Sequence, residues 1–442
     1  MDIAARVYNH NWKIDPVIRS LLDTDFYKLL MGQMIWKKHK DVQVTFKVKN
    51  RTKNRAPLSS LFSEEQLREQ LDHARSLRFT NSELIWLAGN TFYGVDRLFE
   101  PGYIDFLRNL QLPEYEIGRD EDGEFTLQFT GPWAAVTFWE IPALSILSEL
   151  RTRSVMADMS RYELTVLYSN ATSKLWKKLR KLSEREVMGI AEMGTRRRHS
   201  FLWQERAVEM MTNELGEGLM GTSNPYHAMK QGLEAIGTNA HELPMVYAAL
   251  ARLTGTGPLK DAQYLVLQDW QESYGGRLRV ALADTFGTTQ FLRGAPDAFP
   301  DIKDWSGFRE DSKDAFEAAN EKIAFWNALG VDPATKLQLF SDGLDTDTIV
   351  QLWTTFKDRL RLGFGWGTMV TNDFVGCNPR GNRDLDPLSI VCKPMEISLK
   401  GKTQPTVKLS DNFVKATGAP EEIQVYRDVF GNDGMANIPV NV

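Results

Sequence analysis

Apolar positions along the chain first recur at helical spacing: Phe26, Leu29, Leu30, Ile35 and Trp36 follow Asp23-Thr24-Asp25, whose side chains are expected to cap that helix. Val42, Val44, Phe46 and Val48 then alternate with polar residues, the period of a half-buried strand, and run into a basic turn at 49–55. Ser63-Glu64-Glu65-Gln66 is a capping box opening a helix with Leu67 and Leu71 on one face, and Asn81-Ser82-Glu83-Leu84 opens another. Residues 115–117 and 125–129 flank Asp120-Glu121-Asp122-Gly123 as the arms of a hairpin. Gly131-Pro132 breaks the pattern and a long apolar helix follows. Residues 1–140 therefore read as an α+β N-terminal domain.

From about residue 185 the rhythm becomes short apolar run, polar turn, helix. The runs end at Gly194-Thr195, Gly221-Thr222, Gly237-Thr238, Asp284-Thr285, Asp311-Ser312, Ser341-Asp342 and Gly365-Trp366-Gly367-Thr368. Strands alternating with helices predict a parallel sheet, so the fold class is α/β. Residues 141–384 are expected to form an irregular (β/α) barrel with its site at the strands' C-terminal ends. Residues 390–392 and 407–409 read as strands outside that rhythm, so 385–442 are expected to return to the first domain.

A chain of 442 residues, 42% hydrophobic and 25% charged, can fill two cores. Its net charge of -5 argues against nucleic acid or an anionic membrane as partner. Cys377 and Cys392 have neither metal-ligand spacing nor the number for a disulfide framework. Arg6, His10 and Lys13 precede any long apolar run, so no signal peptide is expected; the apolar stretch 133–147 is broken by Glu140 and Pro142 and is too short to span a bilayer. The expected compartment is the cytoplasm, without membrane attachment.

The chemistry concentrates in the Gly-Thr turns. Arg196, Arg197 and Arg198 suit bidentate phosphate binding or, equally, a salt-bridge cluster. The glycines of 363–368 could open backbone N–H groups to a phosphate that a Cβ would hold away, although ligand-free glycine turns are common. Asp284, Asp311 and Asp342 offer carboxylates on three loops for a ribose diol or a Mg²⁺-diphosphate, against the alternative of helix caps. His241 reads either as a structural histidine or as a nucleophile oriented by Glu242 or a neighbouring carboxylate.

Taken together, Leu22-Asp23-Thr24-Asp25-Phe26-Tyr27-Lys28, Gly194-Thr195-Arg196-Arg197-Arg198, Gly221-Thr222-Ser223-Asn224, Gly237-Thr238-Asn239-Ala240-His241-Glu242, Phe340-Ser341-Asp342-Gly343 and Gly363-Phe364-Gly365-Trp366-Gly367-Thr368 resemble nicotinate phosphoribosyltransferase, in order from about 20 to 410. The resemblance implies synthesis of nicotinate mononucleotide and diphosphate from nicotinate and phosphoribosyl diphosphate, with ATP as co-substrate, Mg²⁺ accompanying the phosphates, no protein-held metal, and a homodimer with shared active sites. It implies that His241 is phosphorylated, with Glu242, Arg309, Asp311 and Asp284 completing the catalytic set. Tyr27, from the neighbouring subunit, would stack on the pyridine, opposite Met193. Arg196 and Arg309 would face the base and the phosphoribosyl group, Asp311 the ribose hydroxyls, and Gly365 and Gly367 the 5′-phosphate; Ser223 would set specificity, and Thr222, Ser341, Asp342 and Thr368 would also bind substrate. Nicotinamide-using relatives look to carry an aspartate at the Ser223 position, which would repel a carboxylate.

Two departures stand out from that family's pattern. Met193 replaces a phenylalanine, and Glu310 and Lys313 stand where histidine and glycine are expected, so an extra acid would approach the diphosphate with Lys313 placed to offset it. The competing readings are a nicotinamide- or quinolinate-using phosphoribosyltransferase, a barrel glycoside hydrolase, and a catalytically weak phosphoribosyl sensor.

Overall fold

The computed structural model describes residues 15–52, 55–341 and 343–437; Arg6, His10, Lys13, Lys53, Asn54 and Asp342 lie outside it. The strands are, in chain order, β1 (Gln43–Asn50), the two-residue pair β2 (Thr91–Phe92) and β3 (Val95–Asp96), β4 (Tyr115–Arg119), β5 (Phe125–Pro132), β6 (Ile190–Glu192), β7 (Leu219–Thr222), β8 (Val280–Leu282), β9 (Gly307–Glu310), β10 (Leu337–Phe340), β11 (Arg361–Trp366), β12 (Ile390–Leu399) and β13 (Lys402–Pro405).

An antiparallel sheet in the order β13-β12-β1-β5-β4 gathers the N-terminal strands and two late ones. The alternation in β1 decides its face: Val44 and Phe46 are buried, Lys47 is exposed, and burying a side chain such as Phe46 is worth roughly 1.5–3 kcal/mol. Opposite β1, Val44 meets Ile397 and Val48 meets Cys392, so the apolar rows coincide; the register slips by a bulge where Phe46 faces Pro394, a residue with no N–H for the ladder. The capping box forms at Ser63 with Gln66, and the helix that opens at Asn81 has a second one that the sequence reading did not identify, Thr80 with Glu83.

The second sheet is parallel, in the order β7-β6-β11-β10-β9-β8, with helices between successive strands. An α+β N-terminal region beside a parallel-sheet α/β region is thus the fold. Six of the seven predicted strand ends belong to the sheet. The seventh, before Gly237-Thr238, is a single bridge from Ala235 to Thr222 on the β7 edge. Its backbone still closes on β7, Thr222 N–H donating to the Glu234 carbonyl at 3.1 Å and Ile236 N–H to that of Thr222 at 2.8 Å. Glycine is required there: at φ +146°, a Cβ on Gly221 would stand 2.1 Å from the Glu234 oxygen.

Asp25 precedes the helix Phe26–Lys38 but its side chain accepts no capping N–H; its carboxylate takes the Ser223 hydroxyl, and Asp23 takes Arg198. Residues 407–409 likewise form no strand, only a bridge from Lys408 to Thr417. Cys377 and Cys392 are free and buried. Among the described residues no helix is long and apolar enough to cross a membrane.

Candidate functional site

The loops after the parallel strands meet the underside of the antiparallel sheet around a cavity of about 240 Å³. Its chemical centre is His241, buried at the start of the helix Glu242–Thr254. Imidazole Nδ1 lies 2.9 Å from Thr285 Oγ1. Nε2 lies 2.9 Å from Lys408 Nζ and 3.1 Å from Asp311 Oδ2, with Asp284 Oδ2 at 3.7 Å. Burial, then the Lys408 charge, brings the pKa of His241 down to about 4, so the ring is neutral near pH 7. With the proton on Nδ1, the single Nε2 lone pair accepts from Lys408 and is released for attack when that lysine turns away; with it on Nε2, the ring donates to Asp311. Only the first tautomer presents Nε2 as the nucleophile.

Glu242 does not orient this ring. Its carboxylate accepts from Lys28 Nζ at 2.6 Å and Trp133 Nε1 at 2.7 Å, because a buried acid is held by the nearest buried donors. Nor do three aspartates face the ligand space. Asp311 lines the cavity, beside Arg309 Nη2 at 3.6 Å and Ser341 Oγ at 3.3 Å. Burial would raise its pKa, but the His241 hydrogen bond and Arg309 outweigh it and hold Asp311 well below the usual carboxylate range. Asp284 stands behind His241, fully buried, taking the Ser312 hydroxyl at 2.6 Å, and no diol could reach it without displacing the ring.

Glu310 does not approach the ligand space either. It is buried against Lys322, Oε2 to Nζ 2.5 Å, while Oε1 accepts the backbone N–H groups of Asp311, Ser312 and Lys313. It therefore shapes the turn that carries Asp311. Lys313 pairs with Glu321 at 2.6 Å.

The arginine triplet divides. Arg196 and Arg197 line the cavity, whereas Arg198 is buried in a bidentate pair with Asp23 at 2.6 and 2.8 Å. Arg196 lies 3.5 Å from Asp25 and 3.6 Å from Glu140. Tyr27 lines the same cavity from the same chain, its hydroxyl 3.3 Å from Glu140, so no neighbouring subunit is needed to bring it there. Glu140 is held down at about 2: burial alone would raise it, but Lys28, Lys393 and Arg196 prevail. Ser223 lines the cavity; Thr222 is buried behind it, its hydroxyl given to Glu192.

Met193, Gly365, Gly367 and Thr368 line the opposite wall. A Cβ at Gly365 would meet Met193 Sδ at 2.6 Å and Ser341 Cβ at 3.2 Å, so glycine there leaves room for the Met193 thioether to lie against β11. Sequence reading missed the cations that later segments bring in, Lys393, Lys408 and Lys415; Arg51, from the basic turn after β1, also lines the cavity. Lys415 donates to the Asp311 carbonyl at 2.8 Å. The one available signal was a lysine inside the apolar run Val407-Lys408-Leu409. No group of three or more His, Cys, Asp or Glu side chains that could hold a metal occurs among the described residues.

Residues 22–148 match the nicotinate phosphoribosyltransferase N-terminal domain and residues 188–434 the Nicotinate phosphoribosyltransferase (NAPRTase) family. The crystal structure of nicotinate phosphoribosyltransferase from Porphyromonas gingivalis is 29% identical, with 94% of this chain and all (100%) of that one covered and a TM-score of 0.81. That of the Vibrio cholerae nicotinate phosphoribosyltransferase is 30% identical, covers 94% of each chain, and has a TM-score of 0.81.

Proposed function

The chain belongs to the nicotinate phosphoribosyltransferase family, and from that premise we propose that it couples nicotinate mononucleotide synthesis to ATP hydrolysis through a phosphohistidine at His241. The observation that carries this reading is the neutral, buried imidazole whose Nε2 faces a cavity lined by Lys408, Lys415, Arg309 and Arg196. Such a ring can attack the terminal phosphoryl group of ATP, ADP leaving with the bonding electrons, and water later takes the phosphoryl from the histidine to release phosphate; the cations around it can hold the transferred charge.

The pyridine nitrogen of nicotinate attacks the ribose carbon of phosphoribosyl diphosphate, and diphosphate leaves with the bonding electrons. Tyr27 and Met193 flank the ring, with Arg196 and Ser223 toward its carboxylate. Arg309 and Asp311 position the ribose, and Ser341, Gly365, Gly367 and Thr368 surround its 5′-phosphate. Positioning and stabilisation of departing charge supply most of the acceleration for a displacement of this kind. Mg²⁺ bound with the diphosphate would neutralise the leaving group, and Asp311 is the cavity carboxylate that would join its shell. A phosphoryl group on His241 adds negative charge beside Lys408 and Lys415 and pulls them from Asp284 and Asp311. Substrate affinity then differs between the two states, which is what energy coupling requires. On the family's ground we also propose a homodimer.

The test is diphosphate release from phosphoribosyl diphosphate and Mg²⁺ with nicotinate or nicotinamide, each with and without ATP, in wild type and His241→Ala. Wild type should respond to nicotinate with ATP stimulation; His241→Ala should keep slow, unstimulated synthesis. Full ATP stimulation in the variant removes the phosphohistidine from the scheme.

A further inference from the structure

The end of the cavity assigned to the pyridine ring is short of hydrogen-bond donors. Ser223 has one hydroxyl hydrogen, and it is already donated to Asp25 Oδ1 at 2.7 Å. Arg196 is shared between Asp25 and Glu140. Lys28 is shared between Glu140 at 2.7 Å and Glu242 at 2.6 Å. Asp25, Glu140 and Glu242 thus already occupy Arg196, Lys28 and Lys393, and buried Glu192 faces Asp25 from the end of β6. An incoming nicotinate carboxylate adds a further negative charge to a desolvated corner, which is costly unless a proton enters with it.

The acids differ in their readiness to take it. Glu140 is held low by Lys28, Lys393 and Arg196. Glu242 is satisfied by Lys28 and Trp133. Burial pushes Glu192 up to about 7, but it does not line the cavity and its oxygens accept from Gly194, Gln204 and Thr222, so a proton there does not reach Ser223 Oγ. Asp25 does line it, and burial pushes its carboxyl above the ordinary value against the pull of Arg196 and the Ser223 bond.

We propose that Asp25 takes a proton from solvent as nicotinate binds, donates it in a hydrogen bond to Ser223 Oγ, and so turns the Ser223 hydroxyl to donate to the substrate's carboxylate. This rests on nicotinate being the substrate of this site. Ionised, the Asp25–Ser223 pair offers an outer acceptor, which suits an amide N–H; protonated, it offers a donor, which suits a carboxylate. The Asp25 proton, and not Ser223 alone, then chooses between nicotinate and nicotinamide.

Calorimetric titration of the intact protein with nicotinate, in buffers of different ionisation enthalpy at pH 7.5, counts the protons. Wild type should take up about one proton per nicotinate, and its affinity should fall by up to about tenfold per pH unit as pH rises. Asp25→Asn, whose amide is a permanent donor to Ser223, should bind nicotinate with no proton uptake and with pH-independent affinity. The wild-type measurement stands alone should that variant not fold. Nicotinate bound by wild type without proton uptake, or an Asp25→Asn protein that keeps the pH dependence, overturns the proposal and leaves the substrate reading intact. Absence of both binding and turnover with nicotinate overturns the substrate reading instead.

Discussion

Replacing Lys322 by methionine strands the charge of Glu310. The two side chains are buried, 0% and 3% exposed, with Nζ and Oε2 at 2.5 Å. Methionine roughly fills the space of the lysine stem but supplies no counter-charge, and removing one partner of a buried pair typically costs about 3–5 kcal/mol. Glu310 Oε1 also accepts three backbone N–H groups at 3.0–3.3 Å, so the carboxylate cannot swing away to water without releasing the turn at 311–313. Glu310→Gln with Lys322→Met removes both charges and keeps an acceptor for those N–H groups. The double variant should therefore recover about 2–3 kcal/mol relative to the sum of the single losses. Equilibrium urea unfolding followed by tryptophan fluorescence measures all four corners of the cycle. Activity should fall more in Lys322→Met than in the double variant, because the turn also carries Asp311, 3.1 Å from His241 Nε2. A Lys322→Met protein within about 1 kcal/mol of wild type, or strictly additive losses, would refute the reasoning.

Lys408→Met removes the cation that, after burial, holds His241 down, so its pKa should rise from about 4 and the acid limb of ATP-dependent phosphorylation should move to higher pH; the pH profile of phosphate incorporation reads this. Acid should destabilise the fold early. Burial depresses His227 to about 3, His39 and His241 to about 4, and His199 well below 6.5. Both states are neutral above the unfolded value; as pH falls through about 6.5 only the unfolded chain gains protons, so stability is lost by up to about 1.4 kcal/mol per pH unit for each such histidine, and melting temperatures from pH 7.5 to 5 should show it. Gly221→Ala should cost about 2–4 kcal/mol, seen as a lowered melting temperature, because its Cβ would collide with a backbone oxygen rather than a movable side chain.

Features built from neighbouring residues could be read from the chain. The capping box at Ser63, the alternation of β1 and the turns that end the parallel strands each depend on spacing within a few positions. The direction of a buried carboxylate does not. Glu242 turns from the adjacent His241 toward Lys28 and Trp133, which are 214 and 109 positions away. Glu310 was read as a threat to an anion because Lys322, one helix later, could not be seen to neutralise it. Asp284, Asp311 and Asp342 look alike in sequence, but depth separates the first two and the third lies outside the described residues. The strand expected before Gly237 fails for a related reason: its backbone finds one bridge at the β7 edge and then turns off to deliver His241.

The pairing of β1 with β12 has a consequence for how the chain is born. Asn50 must wait for Ile390 to be synthesised before that edge of β1 is covered. At about 5–20 residues per second the wait lasts on the order of tens of seconds, long compared with local folding. Until then the nascent chain carries an open strand edge with Val44, Phe46 and Val48 along it, a template for wrong partners. Lys393, Lys408 and Lys415 leave the ribosome in that same final interval, so the site becomes complete only when the edge is sealed.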